Sequence, residues 1–175
     1  MRVIGGTARG RQLKAKLPAT VRPTTDYARE AIFSMLESRG GLSELVVADL
    51  YCGSGAMGIE ALSRGAAKVY FVDTDPLCLS AAKNNLEPLK LDGEAVFVRA
   101  TLPLWSPPTD LDLLLADPPY GPLDLSSVLH GVDAQRVVIE NDRHMDAPEG
   151  WEVTKTKRYG TTLVTMLEPR RRDGE

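Results

Sequence analysis

Short continuous apolar runs alternate along this chain with longer segments whose apolar residues recur every three or four positions. The short runs, suited to strands buried on both faces, fall at residues 45–50, 68–73, 95–99, 111–116 and 136–140. The longer segments predict helices over 26–38, 55–64 and 76–86. In the first of these, Ala28, Ile32, Phe33 and Leu36 share a face, Thr24 or Thr25 can cap the start, and Gly40-Gly41 ends it. Pro76 belongs in the first turn of the last, with Asp75 as its cap. Strands alternating with helices predict an α/β, Rossmann-like fold built on a doubly wound, mostly parallel sheet. Two hairpins flank this core. Val3-Ile4 and residues 12–15 predict one at the N-terminus, and residues 151–157 and 161–167, turning at Tyr159-Gly160, predict an antiparallel one at the C-terminus.

Composition adds little to the fold but narrows the chemistry. A chain of 175 residues with 43% hydrophobic content can bury a core without cross-links. Cys52 and Cys78 form no C-x-x-C pair and only His130 and His144 could assist them, so no metal is expected and a reducing, cytoplasmic setting is. The start of the chain lacks a signal-peptide apolar stretch, and no run is long enough to span a membrane. The net charge of -3 hides an asymmetry. Residues 1–29 hold seven cations and one acid, against 14 cations and 23 acids in the remainder. A basic arm on an acidic body could bring a polyanion to one end of an otherwise acidic protein. A solvated charged hairpin without a partner is the plainer reading.

The sharpest chemical signal is Asp117-Pro118-Pro119-Tyr120, at the end of the fourth apolar run. Two prolines fix the backbone and remove two N–H donors, so the turn presents acceptors without competition. A planar exocyclic amine has two donors to give, one each to the Asp117 carboxylate and the Pro118 carbonyl. Those acceptors would also offset the charge the nitrogen gains as it attacks an electrophile. Tyr120 adds a face for stacking a base. A strand ending in a Pro-stiffened turn would use the same residues with no chemistry at all.

Asp49-Leu50-Tyr51-Cys52-Gly53-Ser54-Gly55-Ala56-Met57-Gly58 places a G-x-G-x-x-G loop between the first core strand and its helix. The spacing alone fits NAD as well as S-adenosylmethionine. Asp49, at the strand's end, suits an ammonium group and repels a pyrophosphate, and Glu60 brings no cation for phosphate. Asp73 closes the next strand 18 residues beyond Gly55, a distance fit for a carboxylate accepting two ribose hydroxyls. After the third strand the chain reads Arg99-Ala100-Thr101-Leu102, so Thr101 or a backbone group would meet the adenine amine.

Together these residues resemble the RsmD family, bacterial methyltransferases acting on the exocyclic N2 of a guanine in 16S ribosomal RNA. The likeness runs from Arg2-Val3-Ile4-Gly5-Gly6 with Gly10-Arg11 through Arg22-Pro23-Thr24-Thr25-Asp26, Arg29-Glu30 and Phe33. It continues through the glycine loop, the proline turn and Tyr159-Gly160. It implies a class I methyltransferase with a seven-stranded, mostly parallel sheet. An N-terminal extension, residues 1–40, would form a lid and RNA-facing surface over a core at 41–169, with a loose tail at 170–175. S-adenosylmethionine would lie against Asp49, Tyr51, Cys52, Gly53, Ser54, Gly55, Asp73, Thr74, Thr101, Leu102 and Asp117. Asp117, Pro118, Pro119 and Tyr120 would form the catalytic turn. Arg2, Arg9, Arg11, Lys14, Arg22, Thr25, Arg29 and Tyr120 would contact 16S rRNA within a whole or partial small subunit, the enzyme acting as a monomer. The alternatives are an adenine-N6 methyltransferase on RNA or DNA, an NAD oxidoreductase, and an RNA-binding module without activity.

Overall fold

The structure is a computed structural model that describes residues 1–15, 26–101 and 104–170. Its strands are β1 (Val46–Leu50), β2 (Lys68–Asp73), β3 (Glu94–Arg99), β4 (Leu113–Ala116), β5 (Arg136–Asn141), β6 (Trp151–Tyr159) and β7 (Thr162–Pro169). They form one sheet in the order β3-β2-β1-β4-β5-β7-β6. The first five run parallel, and β7 pairs antiparallel with both β5 and β6. The chain builds outward from β1 in one direction and then returns to begin β4 on its other side. That reversal opens a crevice at the C-terminal ends of β1 and β4, where open α/β sheets take their ligands.

Helices α1 (Asp26–Glu37), α2 (Ala56–Ser63) and α3 (Pro76–Leu86) cover one face, where Ile32, Phe33, Ile59 and Ala82 pack with Val47 and Val69. The four-residue α4 (Leu125–Val128) covers the other, joining Leu125 and Val128 to Leu50, Leu114 and Trp151. Asp75 caps α3 through an accepted Leu77 N–H at 2.8 Å, ahead of Pro76. Glycines at 40 and 41, with φ of 109° and 76°, take the chain out of α1. No helix among the described residues is long and apolar enough to cross a membrane.

The N-terminal residues form the expected hairpin in a short version: Arg2 bridges Gln12, the Val3 N–H reaches the Arg11 carbonyl (2.9 Å), the Gly10 N–H the Val3 carbonyl (2.8 Å) and the Leu13 N–H the Met1 carbonyl (3.0 Å), and the segment is fastened to α2. The Glu60 carboxylate accepts the N–H groups of Ile4 (2.8 Å) and Gly5 (2.7 Å), and Ser63 Oγ donates to the Gly5 carbonyl and accepts the Ala8 N–H. Gly6 lies so close that a Cβ there would sit 1.8 Å from the Ser63 carbonyl oxygen. Val3, Ala8 and Leu13 enter the same apolar cluster as Val47 and Ile59. Residues 1–15 and α1 therefore share the core of the sheet.

Candidate active site

Parallel pairing of Leu50 with Ala116 brings the two candidate loops side by side, so Tyr51 and Asp117 leave the sheet at neighbouring positions. The Asp117 N–H still reaches the Leu50 carbonyl at 3.4 Å. Tyr51 turns the chain with φ of 57°, Gly53 and Gly55 follow at 52° and 75°, and the Gly55 N–H closes on the Cys52 carbonyl at 2.7 Å. Gly55 is also the N-cap of α2, and a Cβ there would meet Ala82 Cβ at 2.7 Å. Lacking a side chain, it cannot cap the helix itself. Asp49 does so from the strand, Oδ2 accepting the Gly58 N–H at 2.8 Å. Asp49 is 2% exposed. Burial holds its carboxyl well above the usual carboxylate range; the Gly58 N–H opposes that, and Asp117 and Asp73 add to it.

Asp73 ties the loop to the next strand, accepting the Gly53 N–H (3.0 Å) and the Asp75 N–H (3.0 Å) on separate oxygens. Each oxygen keeps a second lone pair, and the group is half-buried at the rim. Thr74 is exposed beside it, its carbonyl accepting from Arg99 Nε, and Thr101 is exposed beyond β3. Ser54 and Cys52 are buried. Burial and the nearby Asp49 and Asp73 push the Cys52 thiol far up, so it stays protonated and is no nucleophile.

In the proline turn, Asp117 is half-buried, Pro118 buried, and Pro119 and Tyr120 exposed, Tyr120 at 43%. The Tyr120 hydroxyl is hydrogen-bonded to Thr162 Oγ1 at 2.9 Å, which fixes the ring against the start of β7. Beyond the turn, a cavity of about 480 Å³ opens between Leu123, Leu125, Asn141, His144 and Met145. Glu140, next to the turn on β5, is buried, and burial together with Asp117 pushes its carboxyl up to about 8 against the pull of Arg29.

Arg29 corrects the expected set of RNA contacts. It lies on the face of α1 that carries Ala28, Ile32 and Phe33, and is 0% exposed. One nitrogen donates to the Arg2 carbonyl and to Asp26, while Nε and Nη1 find no partner among the described residues. It is the interior counter-charge to Glu60, Asp26 and Glu140. Arg2, Arg9, Arg11 and Lys14 are exposed as expected. Arg22, Thr25 and Leu102 lie outside the described residues.

Sequence reasoning missed Asn85. Its Nδ2 donates to the Ser54 carbonyl (3.0 Å) and its Oδ1 accepts the Ala15 N–H (2.8 Å), linking the glycine loop to the N-terminal segment. Its signal was a polar residue on the face of α3 otherwise made by Cys78, Ala81 and Ala82. Thr162 and Glu60 were likewise legible only as polar residues in apolar settings.

The corner fits the cationic donor of such enzymes. Asp73 and Asp117 both act electrostatically on Asp49, a gathering of carboxyl groups that favours a sulfonium and an ammonium and disfavours a pyrophosphate. The strand order, the glycine loop and the proline turn define a class I methyltransferase, with S-adenosylmethionine as its cofactor. A family profile described as "Conserved hypothetical protein 95" matches residues 1–168, and the chain belongs to that family, the RsmD family. It is 35% identical to "Putative rRNA methyltransferase YlbH" of Bacillus subtilis over 97% of this chain and 100% of the relative. It is 31% identical to "Ribosomal RNA small subunit methyltransferase D" of Haemophilus influenzae over 96% and 93%. The solved "Putative methyltransferase yhhF from Escherichia coli" superposes with a TM-score of 0.79 at 27% identity, covering 97% of each chain.

Proposed function

We propose that this protein transfers a methyl group from S-adenosylmethionine to the exocyclic N2 of a guanine in 16S ribosomal RNA, the guanine-966 reaction. The observation that carries the reading is the adjacency of Asp117 and Tyr51 at the β4–β1 switch, which sets the amine-holding turn beside the cofactor loop. Names of relatives similar over nearly their whole length support ribosomal RNA as the substrate.

When bound, the cofactor supplies an electrophilic methyl group. Asp73 holds the ribose hydroxyls with its remaining lone pairs, and residues 51–55 let the backbone approach. Asp49 shapes that loop through Gly58, and an ammonium group brought near it would favour its ionised form. Thr74 and Thr101 border the adenine. Asp117 and the Pro118 carbonyl accept hydrogen bonds from the two N–H groups of guanine N2 and aim its lone pair, so that catalysis is positioning plus charge stabilisation. Pro119 stiffens the turn, and Tyr120, steadied by Thr162, stacks on a base drawn out of its helix. Arg2, Arg9, Arg11 and Lys14 face the RNA, whole or partly assembled small subunits being the natural substrate and the monomer the working form.

The test is transfer of radiolabelled methyl from the cofactor to 16S rRNA and to small subunits, followed by nucleoside digestion. N2-methylguanosine is the expected product. N6-methyladenosine would overturn the base assignment, and no incorporation into either substrate would overturn the RNA assignment.

A further inference from the structure

Between the tip of the β6–β7 hairpin and the first turn of α1 lies an aromatic surface that the methyl-transfer site does not use. Tyr27 is 66% exposed, a large apolar ring left in solvent at the start of a helix. It meets Tyr159 edge to face, with centroids 5.7 Å apart and planes at 78°. Such a pair leaves the faces of one ring unoccupied by the other. Tyr159 is half-buried against the core, and Lys157 Nζ stands 5.2 Å from its centroid.

The pairings of Lys155 with Met166, Lys157 with Val164 and Tyr159 with Thr162 place these three β6 residues on one face of the strand. It is the face whose neighbours Val164 and Met166 pack with α1. Lys155, Lys157 and Arg158 are exposed, and none is ion-paired with a described residue. No acid interrupts residues 153–162. The surface is continuous with the proline turn, because Thr162, the partner of Tyr159, holds the Tyr120 hydroxyl.

We propose that Tyr27 and Tyr159, flanked by Lys155 and Lys157, form a stacking platform for single-stranded RNA next to the methylated base. This rests on the reading of ribosomal RNA as substrate. Unpaired bases stack on aromatic rings while nearby cations follow the phosphates, and this surface offers both on a strand whose Tyr159 pairs with Thr162, the residue that holds Tyr120. Lysines on an edge strand can serve merely to discourage strand pairing between molecules. That role does not account for an exposed tyrosine on a separate helix set edge to face with a tyrosine of the same strand.

The test is fluorescence anisotropy with a labelled short single-stranded RNA and a blunt duplex of the same composition. Tyr27→Ala should weaken single-strand binding by about fivefold to a hundredfold. Tyr27→Phe and Tyr27→Trp should stay within about twofold of the parent, and S-adenosylmethionine affinity should not move in any of them. Lys157→Ala should lower the slope of log affinity against log salt by roughly 0.7, and it carries the test alone if Tyr27→Ala lowers the melting temperature. The platform is overturned by Tyr27→Ala binding as the parent does, by Tyr27→Phe binding as poorly as Tyr27→Ala, or by an unchanged slope in Lys157→Ala. An equal loss on the duplex would overturn it too. Failure of the underlying function reading looks different: the parent protein itself would then leave 16S rRNA unmethylated.

Discussion

Individual carboxylates at the end of the sheet have distinct tasks because their surroundings differ. On the proposed reading Asp117, half-buried at the turn, would be the acceptor that gains most as positive charge develops on the attacking nitrogen. Asp117→Ala should therefore cut the methylation rate by about 2–4 kcal/mol of transition-state stabilisation, roughly thirtyfold to a thousandfold, while leaving cofactor affinity nearly intact. Single-turnover transfer and calorimetry check this, and an unchanged rate would remove Asp117 from its role. Glu140 has a different consequence. Its carboxyl is raised from 4.5 to about 8 in the folded protein, first by burial and then by Asp117. Between those values the unfolded chain has released a proton that the native state retains, so the Glu140 contribution to stability falls as pH rises from about 4.5 to about 8. The slope from this group approaches about 1.4 kcal/mol per pH unit at most. Glu140→Gln should flatten the stability curve over that window and gain on the parent as pH rises. Thermal melts across pH would show it, and parallel curves for the two proteins would contradict it.

At the scale of elements, the site depends on links between segments distant in sequence. Asn85 on α3 spends one end of its amide on the Ser54 carbonyl and the other on the Ala15 N–H, so one side chain fixes both the glycine loop and the exit of the N-terminal segment. Asn85→Ala would leave two partly or wholly buried groups without partners, at a cost of about 1–3 kcal/mol. It should also raise the dissociation constant for S-adenosylmethionine. A lower melting temperature with unaltered cofactor binding would mean that the loop holds its shape without Asn85. Links of this kind explain what was legible beforehand. The parallel strands, α1 and α3 followed from apolar spacing, the start of α3 also from its Asp75 cap, and the Asp117 turn from its own residues, while Thr24 and Thr25, the expected caps of α1, lie outside the described residues. β4 begins at Leu113 rather than 111 because the Asp112 carboxylate turns aside to the Val46 N–H at 2.9 Å. The N-terminal hairpin is short, paired only at residues 1–3 and 10–13, and Glu60 and Ser63 take backbone groups of residues 4–8 between its arms. α4 is a single turn, too short for any periodicity to announce.

Over the whole molecule, charge is divided between an acidic body and a basic N-terminal end, but the division is smaller at the surface than in the sequence. Arg29 is spent internally on Arg2, Asp26 and the field of Glu140, and Arg11 gives one donor to the Pro88 carbonyl. Arg2, Arg9, Arg11 and Lys14 remain exposed on a segment bound to α2, so they present a fixed patch instead of a trailing arm. A fixed patch on a body carrying the opposite net charge orients an approaching polyanion as well as attracting it. Replacing Arg9 and Arg11 together by alanine should weaken 16S rRNA binding and lower its salt slope by about 0.7–0.9 for each phosphate left without its arginine. Arg29→Lys, whose cation is interior, should leave that slope alone and lower the melting temperature. The reverse result, a steady slope in the first variant and a reduced one in the second, would place the RNA on the far side of α1 and move the docking surface away from the N-terminal segment.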